Sequence, residues 1–281
     1  MKSAERGREL ATTGSFGSRL RWWRERRGLS QLDLAGAAES TQRHISFLES
    51  GRAAPSREMI LRLAAVLDLP LRQQNALFLA AGFAPAWRES NLSAPELARV
   101  DSALAYMLQQ QEPYPAFVLD RRWNVLRANT AAARLTEFLT GAPPATPPSE
   151  PVNLAVALVS PDGLRPFIVN WEEVVLHFLR GVQADALADG TPETAALLTQ
   201  LLAVPGAPAL SQALLPDERQ APVLVIHFRR GEASLRLFTT LATLGTPHDV
   251  TLQEIRIECF FPVDDATARA FQDWAVAGRS S

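Results

Sequence analysis

The stretch STQRHISFLESGR, residues 40–52, decides how the first part of the chain is read. Ile45 and Leu48 fall three apart, where a helix buries them, while Gln42, Arg43, His44, Ser46 and Phe47 are laid out on the remaining surface. Thr41 stands where a helix cap belongs. Three readings are open from these residues alone: an ordinary solvated helix, a protein-partner surface, or a helix that reads something polar.

Working outward, residues 15–82 divide into five short helices punctuated by Gly, Pro and Ser. The first is expected from Phe16 to Arg27, with Leu20, Trp23, Arg24 and Arg27 on one face and Gly28 closing it. A second starts at the capping Ser30 and uses Leu32, Leu34 and Ala35 as its apolar stripe. The third is the quoted stretch. A fourth begins at Ser56 after Pro55 and buries Leu61, Leu63, Ala64 and Leu67. The fifth runs from Leu71 to Ala81 and ends at Gly82, where a C-terminal glycine belongs.

Charge is divided unevenly along the chain. The net charge is −2, but residues 1–70 hold 12 Arg or Lys against 8 Asp or Glu, a balance of +4 that leaves −6 for the rest. A basic head on an acidic partner fits a nucleic-acid module joined to something else. The 281 residues leave room for two domains, and no apolar run reaches membrane-spanning length. MKSAERGREL at the N-terminus carries charge without an apolar stretch after it, and a single cysteine, Cys259, cannot build an internal disulfide framework. The expected setting is a reducing cytoplasm, with no membrane partner.

Two short helices joined by a tight turn, with an upstream helix packed across them, form the unit that sets its second helix into the major groove of DNA. Here the turn is Ala38, Glu39 and Ser40. Gln42 is suited to pair bidentately with adenine, Arg43 with guanine O6 and N7, and Phe47 to lie against a thymine methyl; each good base pairing contributes about 1–3 kcal/mol of discrimination.

The segments RLRWWRERRGLSQLDLA and HISFLESGRAAPS, with L-S-Q, I-S-x-x-E-x-G and R-x-x-P-S at these spacings, resemble the helix-turn-helix domain of the XRE family, which includes the Cro and lambda-repressor proteins. The resemblance implies that Gln31 and Arg52 meet the DNA backbone and that Gln42, Arg43 and Phe47 face bases, with Thr41, His44 and Ser46 on the same surface. It also implies that Arg24 and Glu49 form a structural ion pair, making Glu49 part of the scaffold. One departure is clear: the family usually has Gly, an apolar residue and Ser in the turn, where this chain has Glu39, Ser40 and Thr41. A non-glycine residue at positive φ there is strained.

Phe83–Glu96, FAPAWRESNLSAPE, reads as a linker, and residues 94–111 as a connecting helix. Beyond Pro113 the pattern becomes mixed. AFVLD and WNVLRAN read as strands, TAAARLTEFL as a short helix, and residues 141–151 as a Pro-rich loop. In NWEEVVLHFLRGV, Trp171, Val174, Val175, Phe178, Leu179 and Val182 share one helical face and His177 points away. Another helix is expected near residues 193–203. Three strands then close the chain, and in the last Ile255, Ile257, Cys259 and Phe261 alternate with Glu254, Arg256 and Glu258, which suggests a half-covered sheet.

RPFIVNWEEV, AFVLDRRWNVLRAN and LFTTLATLGTPHDVTLQEIRIECFFP resemble the MmyB-like regulators, in which an XRE head precedes a PAS-like ligand-binding domain. The implied fold class is an all-α five-helix helix-turn-helix domain followed by an α+β PAS-like domain with an antiparallel five-stranded sheet. The expected division is 1–83 for the DNA-binding domain, 84–112 for linker and connecting helix, and 113–281 for the ligand-binding and dimerisation domain. A pocket for an apolar, fatty-acid-like molecule is expected between sheet and helix. Its candidate lining is Phe117, Leu119, Phe167, Trp171, Val175, Phe178, Ile226, Phe228, Phe238 and Ile257, with Arg165 or His227 as polar anchor. A domain of the same fold serving only for dimerisation or protein contact is the alternative.

Chemistry of other kinds finds little support. His44, His177, His227, His248 and Cys259 show no metal-ligand spacing, no nucleophile elbow is present, and GSFG near Gly14 lacks the lysine and preceding strand of a phosphate loop. Neither catalytic residues, nor a metal, nor a resident cofactor is expected. The sequence therefore points to a DNA-binding regulator acting as a homodimer on a two-fold-related operator and answering to a small apolar ligand.

Overall fold

The computed structural model describes residues 14–141, 152–207 and 223–277. The reading of the N-terminus and almost all of the Pro-rich loop lie outside these residues. The described residues divide into two compact units, one of residues 14–90 with 184–196 and 246–253, the other of the remaining described residues.

The head of the first unit has five helices: α1 (Phe16–Arg26), α2 (Gln31–Ala37), α3 (Gln42–Glu49), α4 (Arg57–Val66) and α5 (Leu71–Ala80). Local chemistry starts four of them. Ser15, Ser30, Thr41 and Ser56 each accept a backbone N–H from the first turn of the helix that follows, and Asp33 returns a bond to the Ser30 N–H to complete a capping box. Gly28 and Gly82 end α1 and α5 in the left-handed region that glycine adopts freely. One core gathers Leu20, Trp23, Leu34, Ile45, Leu48, Ile60, Leu63, Leu67 and Phe78.

Two apolar assignments fail here. Leu32 is 62% exposed and Leu61 is 42% exposed, so neither belongs to the buried stripe of its helix. Each is adjacent in sequence to the true face, where a helix turning about 100° per residue already points a side chain outward.

Within the same unit, Gln73 Nε2 donates to the Asp189 carbonyl at 2.6 Å and the Leu71 N–H to Gln253 at 2.7 Å. Trp87 stacks on His248 with ring centroids 6.1 Å apart.

The second unit is built on an antiparallel five-stranded sheet in the order β2-β1-β5-β4-β3. Its strands are β1 (Ala116–Leu119), β2 (Val125–Ala128), β3 (Val225–Arg230), β4 (Ala233–Thr243) and β5 (Arg256–Pro262). Around them run α6 (Ala98–Gln110), α7 (Thr130–Thr140), α8 (Leu154–Val159), α9 (Trp171–Asp189), α10 (Pro192–Leu202), α11 (Val250–Glu254) and α12 (Asp265–Ala277), with α11 and the ends of α9 and α10 assigned to the first unit. Trp171, Val174, Val175, Leu179 and Val182 of α9 join Leu119, Phe228, Leu235, Leu237 and Phe260 of the sheet and Phe271 of α12 in one buried cluster, against which Phe178 also packs. The stripe read from 3.6-residue spacing is thus the stripe that packs.

The sheet differs from the expectation in which face of β5 meets this cluster. Phe260 belongs to it, and alternation puts Arg256 and Glu258 on the same side. Ile257 is fully buried too, but on the opposite face, together with Ala116 and Val118, beside α6. This part of the sheet is therefore covered on both faces. A period of two separates the faces of a strand without saying which one receives the helices.

Candidate nucleic-acid interface and ligand-binding domain

The interface of the head begins at the turn before α3. Glu39 has φ 51°, the left-handed value that glycine would take without strain, and the Ser40 N–H closes the turn on the Ala35 carbonyl at 2.8 Å. Ser40 Oγ meets His44 Nδ1 at 2.9 Å, and Thr41 Oγ1 accepts the His44 N–H at 3.2 Å. The first turn of α3 is thereby pinned from both sides.

α1 crosses the end of α3 at Gly17. A Cβ there would lie 2.4 Å from the Glu49 carbonyl oxygen and 2.6 Å from that of Leu48, so backbone packs on backbone. The Glu49 carboxylate accepts from Arg24 Nε at 2.6 Å and Nη2 at 3.1 Å, from Gln31 Nε2 at 2.8 Å and from Arg21 Nε at 3.3 Å. Burial opposes ionisation of this fully covered side chain, yet the bonds from Arg24, Gln31 and Arg21 prevail and hold its carboxyl below the usual value. In return the bond to Glu49 raises the Arg24 guanidinium above its ordinary value. Glu49 is scaffold, and Gln31 spends one amide N–H on it.

What remains outward on α3 is Gln42 and Arg43, exposed, with Ser46, Phe47 and His44 half-buried. Two guanidiniums stand over the Phe47 ring, Arg43 at 5.1 Å and Arg52 at 5.9 Å from its centroid. The ring holds two cations on one surface, an arrangement for which the sequence reading of Phe47 as a thymine contact made no provision.

Eight of the ten apolar residues named for the second unit come together. Leu119, Trp171, Val175 and Phe228 are in the helix-covered cluster, and Phe117, Phe167, Phe178 and Ile226 pack against it. Phe238 and Ile257 do not: their strand positions turn them to the other side, where Phe238 stacks on Phe261 at 5.4 Å. Arg165 lies over the Trp171 ring at 3.8 Å and donates to the Pro205 carbonyl at 2.6 Å. His227 faces away from the cluster and meets Ser234 Oγ at 2.7 Å. Two surface clefts sit elsewhere, around Glu112, Thr130, Arg134 and Gln272 and around Gln109, Arg127 and Asn129.

Sequence reasoning missed two polar residues of the covered face. Glu258, expected on a solvated side, is only 7% exposed; burial pushes its carboxyl up to about 7 against one opposing hydrogen bond from Thr239. Trp123, at the turn between β1 and β2, packs edge-on to Phe178 at 4.6 Å and beneath the Arg256 guanidinium at 5.5 Å. On the other face, burial and the Glu258 charge push the Cys259 thiol up, which keeps it protonated near neutrality.

These features define a DNA-binding head of helix-turn-helix type followed by an α+β domain whose sheet is roofed by helices. The comparisons agree: a family described as helix-turn-helix matches residues 20–74, and one described as the MmyB-like transcription regulator ligand binding domain matches residues 100–273. The chain belongs to the MmyB-like transcription regulators. No curated protein matches it. It is a DNA-binding regulator with a domain for a small-molecule ligand, and among the described residues no helix is long and apolar enough to cross a membrane.

Proposed function

We propose that the protein reads an operator through α3 and that an apolar molecule, fatty-acid-like in its chain, bound in the second unit sets how well it does so. The observation that carries the first half is the division of labour on α3. Glu49 is consumed by Arg24, Gln31 and Arg21, while Gln42 and Arg43 stand exposed at the end of the helix that enters the groove. Arg43 and Arg52, both braced on Phe47, supply guanine recognition and phosphate contact respectively. Gln31 keeps a second amide N–H for phosphate. Thr41, His44 and Ser46 line the same approach.

The second half is supported by the apolar cluster of Trp171, Val175, Phe178, Phe117, Leu119 and Phe228 between α9 and the sheet, in a domain of ligand-binding type. A homodimer on half-sites about one helical turn apart matches the two-fold symmetry that such heads use, and the cytoplasm is where the operator lies. Ligand shifts operator affinity only by its differential affinity for the two states of the protein.

Native mass spectrometry of the full chain purified from cells tests the ligand half. A retained apolar molecule of one mass, displaced by added alkyl-chain compounds with a change in operator affinity, is the expected result. A chain that retains nothing and binds no member of a lipid panel, while still dimerising, supports the alternative of a pure assembly domain.

A further inference from the structure

The helix-covered face of the sheet holds two buried polar atoms without a hydrogen-bond partner among the described residues: Glu258 Oε2 and Trp123 Nε1. Their residues are 7% and 6% exposed. Both belong to the face that carries Phe260 and Phe117, since Glu258 pairs across the strands with Phe117 and Trp123 lies in the cluster beneath Arg256. Trp171 shows what a satisfied neighbour looks like, its indole N–H donating to the Leu158 carbonyl at 3.0 Å. Buried polar atoms are nearly always paired, so two orphans on one apolar face mark a place completed by something else. An approach exists beside them: Leu241, the cross-strand partner of Glu258, is 47% exposed, so the cover stops at this point of β4.

The chemistry of the orphans restricts what completes them. Glu258 offers an acceptor, with Thr239 beside it, and Trp123 offers only a donor. A carboxylate head would satisfy Trp123 and be drawn to the Arg256 guanidinium over its ring, but would set a second negative charge against Glu258; an ammonium would satisfy Glu258, be repelled by Arg256 and leave Trp123 unmet. A neutral group that donates and accepts serves both. We propose that Glu258 and Trp123 form the polar end of the ligand site and that the ligand is an apolar chain ending in an uncharged alcohol or amide. This rests on the reading of the second unit as a binder of apolar small molecules, and it keeps the chain of a fatty acid while replacing its charged head.

The test uses the full-length protein at pH 8 with three probes of equal chain length, decanol, decanoate and decylamine, by calorimetry, on wild type, Glu258→Gln and Trp123→Phe. The wild type is expected to bind decanol about tenfold tighter than either charged probe, the scale of one charge-assisted hydrogen bond made or broken. Glu258→Gln, isosteric and neutral, should raise decanoate affinity about tenfold while changing decanol much less, and Trp123→Phe should weaken decanol by about fivefold. Thermal melts establish that each variant is folded. Decanoate binding the wild type as well as decanol, or a decanoate affinity indifferent to Glu258→Gln, overturns the inference and leaves the apolar-ligand reading standing. Failure of all three probes to bind the wild type overturns both.

Discussion

Replacing Glu258 by Gln should remove a pH dependence that the wild type carries in its ligand-binding domain. The carboxyl is buried and accepts one bond from Thr239, and its folded value of about 7 stands above an ordinary 4.5. A folded state that holds a proton more tightly than the unfolded chain is most stable below the unfolded pKa. Stability therefore declines as pH rises from about 4.5 to about 7 and is level above. A shift of roughly 2.5 units corresponds to a loss of about 3 kcal/mol across that window. The neighbouring Cys259 thiol is pushed to higher pH and stays outside this window. Histidine contributions common to both proteins cancel in the difference. Urea denaturation at pH 5 and pH 8, followed by tryptophan fluorescence, should show the wild type losing about 2–3 kcal/mol more than Glu258→Gln, since pH 5 already lies inside the window. Parallel losses in the two proteins would refute the assignment of Glu258 as a buried, raised carboxyl.

Three further outcomes concern the head. Glu49→Ala strips Arg24, Gln31 and Arg21 of their shared acceptor and leaves the buried Arg24 guanidinium with only the Leu29 carbonyl and the exposed Glu25 carboxylate, so the head should lose about 3 kcal/mol in denaturant melts. Gly17→Ala drives a methyl to 2.4 Å from the Glu49 carbonyl oxygen; α1 must lift from α3, and both melting temperature and DNA affinity should fall although no DNA contact is altered. Glu39→Gly relieves a left-handed residue in the turn and should stabilise the head by about 1 kcal/mol without changing the bases selected, read by melting and by operator binding.

The head was legible because its signals are local. Ser30, Thr41 and Ser56 cap the helices they precede, and Ile45 and Leu48 are buried as their spacing requires. The strained turn at Glu39 could be anticipated because only one side chain stood where glycine is expected. Gly17 could not, since its need arises from the distance to a backbone 32 positions away, which no periodicity encodes. In the second unit the α9 stripe was readable and its strand partners were not. Alternation assigned Ile257 and Glu258 to opposite faces correctly, but the acidic residue was assumed to be wet, whereas α9 and α12 cover its side and α6 lies on the other. Phe238 was misplaced for the same reason. Trp123 gave no sign at all, because its position depends on a turn that carries it under Arg256.

The claim on which the rest depends is that α3 reads bases through Arg43 and Gln42. Selection from a randomised duplex library with the full-length wild type, repeated with Arg43→Ala, tests it directly. The account predicts an inverted-repeat motif for the wild type. For Arg43→Ala it predicts relaxation at one symmetry-related guanine position, with about 1–3 kcal/mol of specific affinity lost and binding to random DNA nearly unchanged. An unchanged motif with equal losses on selected and random DNA would place Arg43 on phosphate alone and contradict the account.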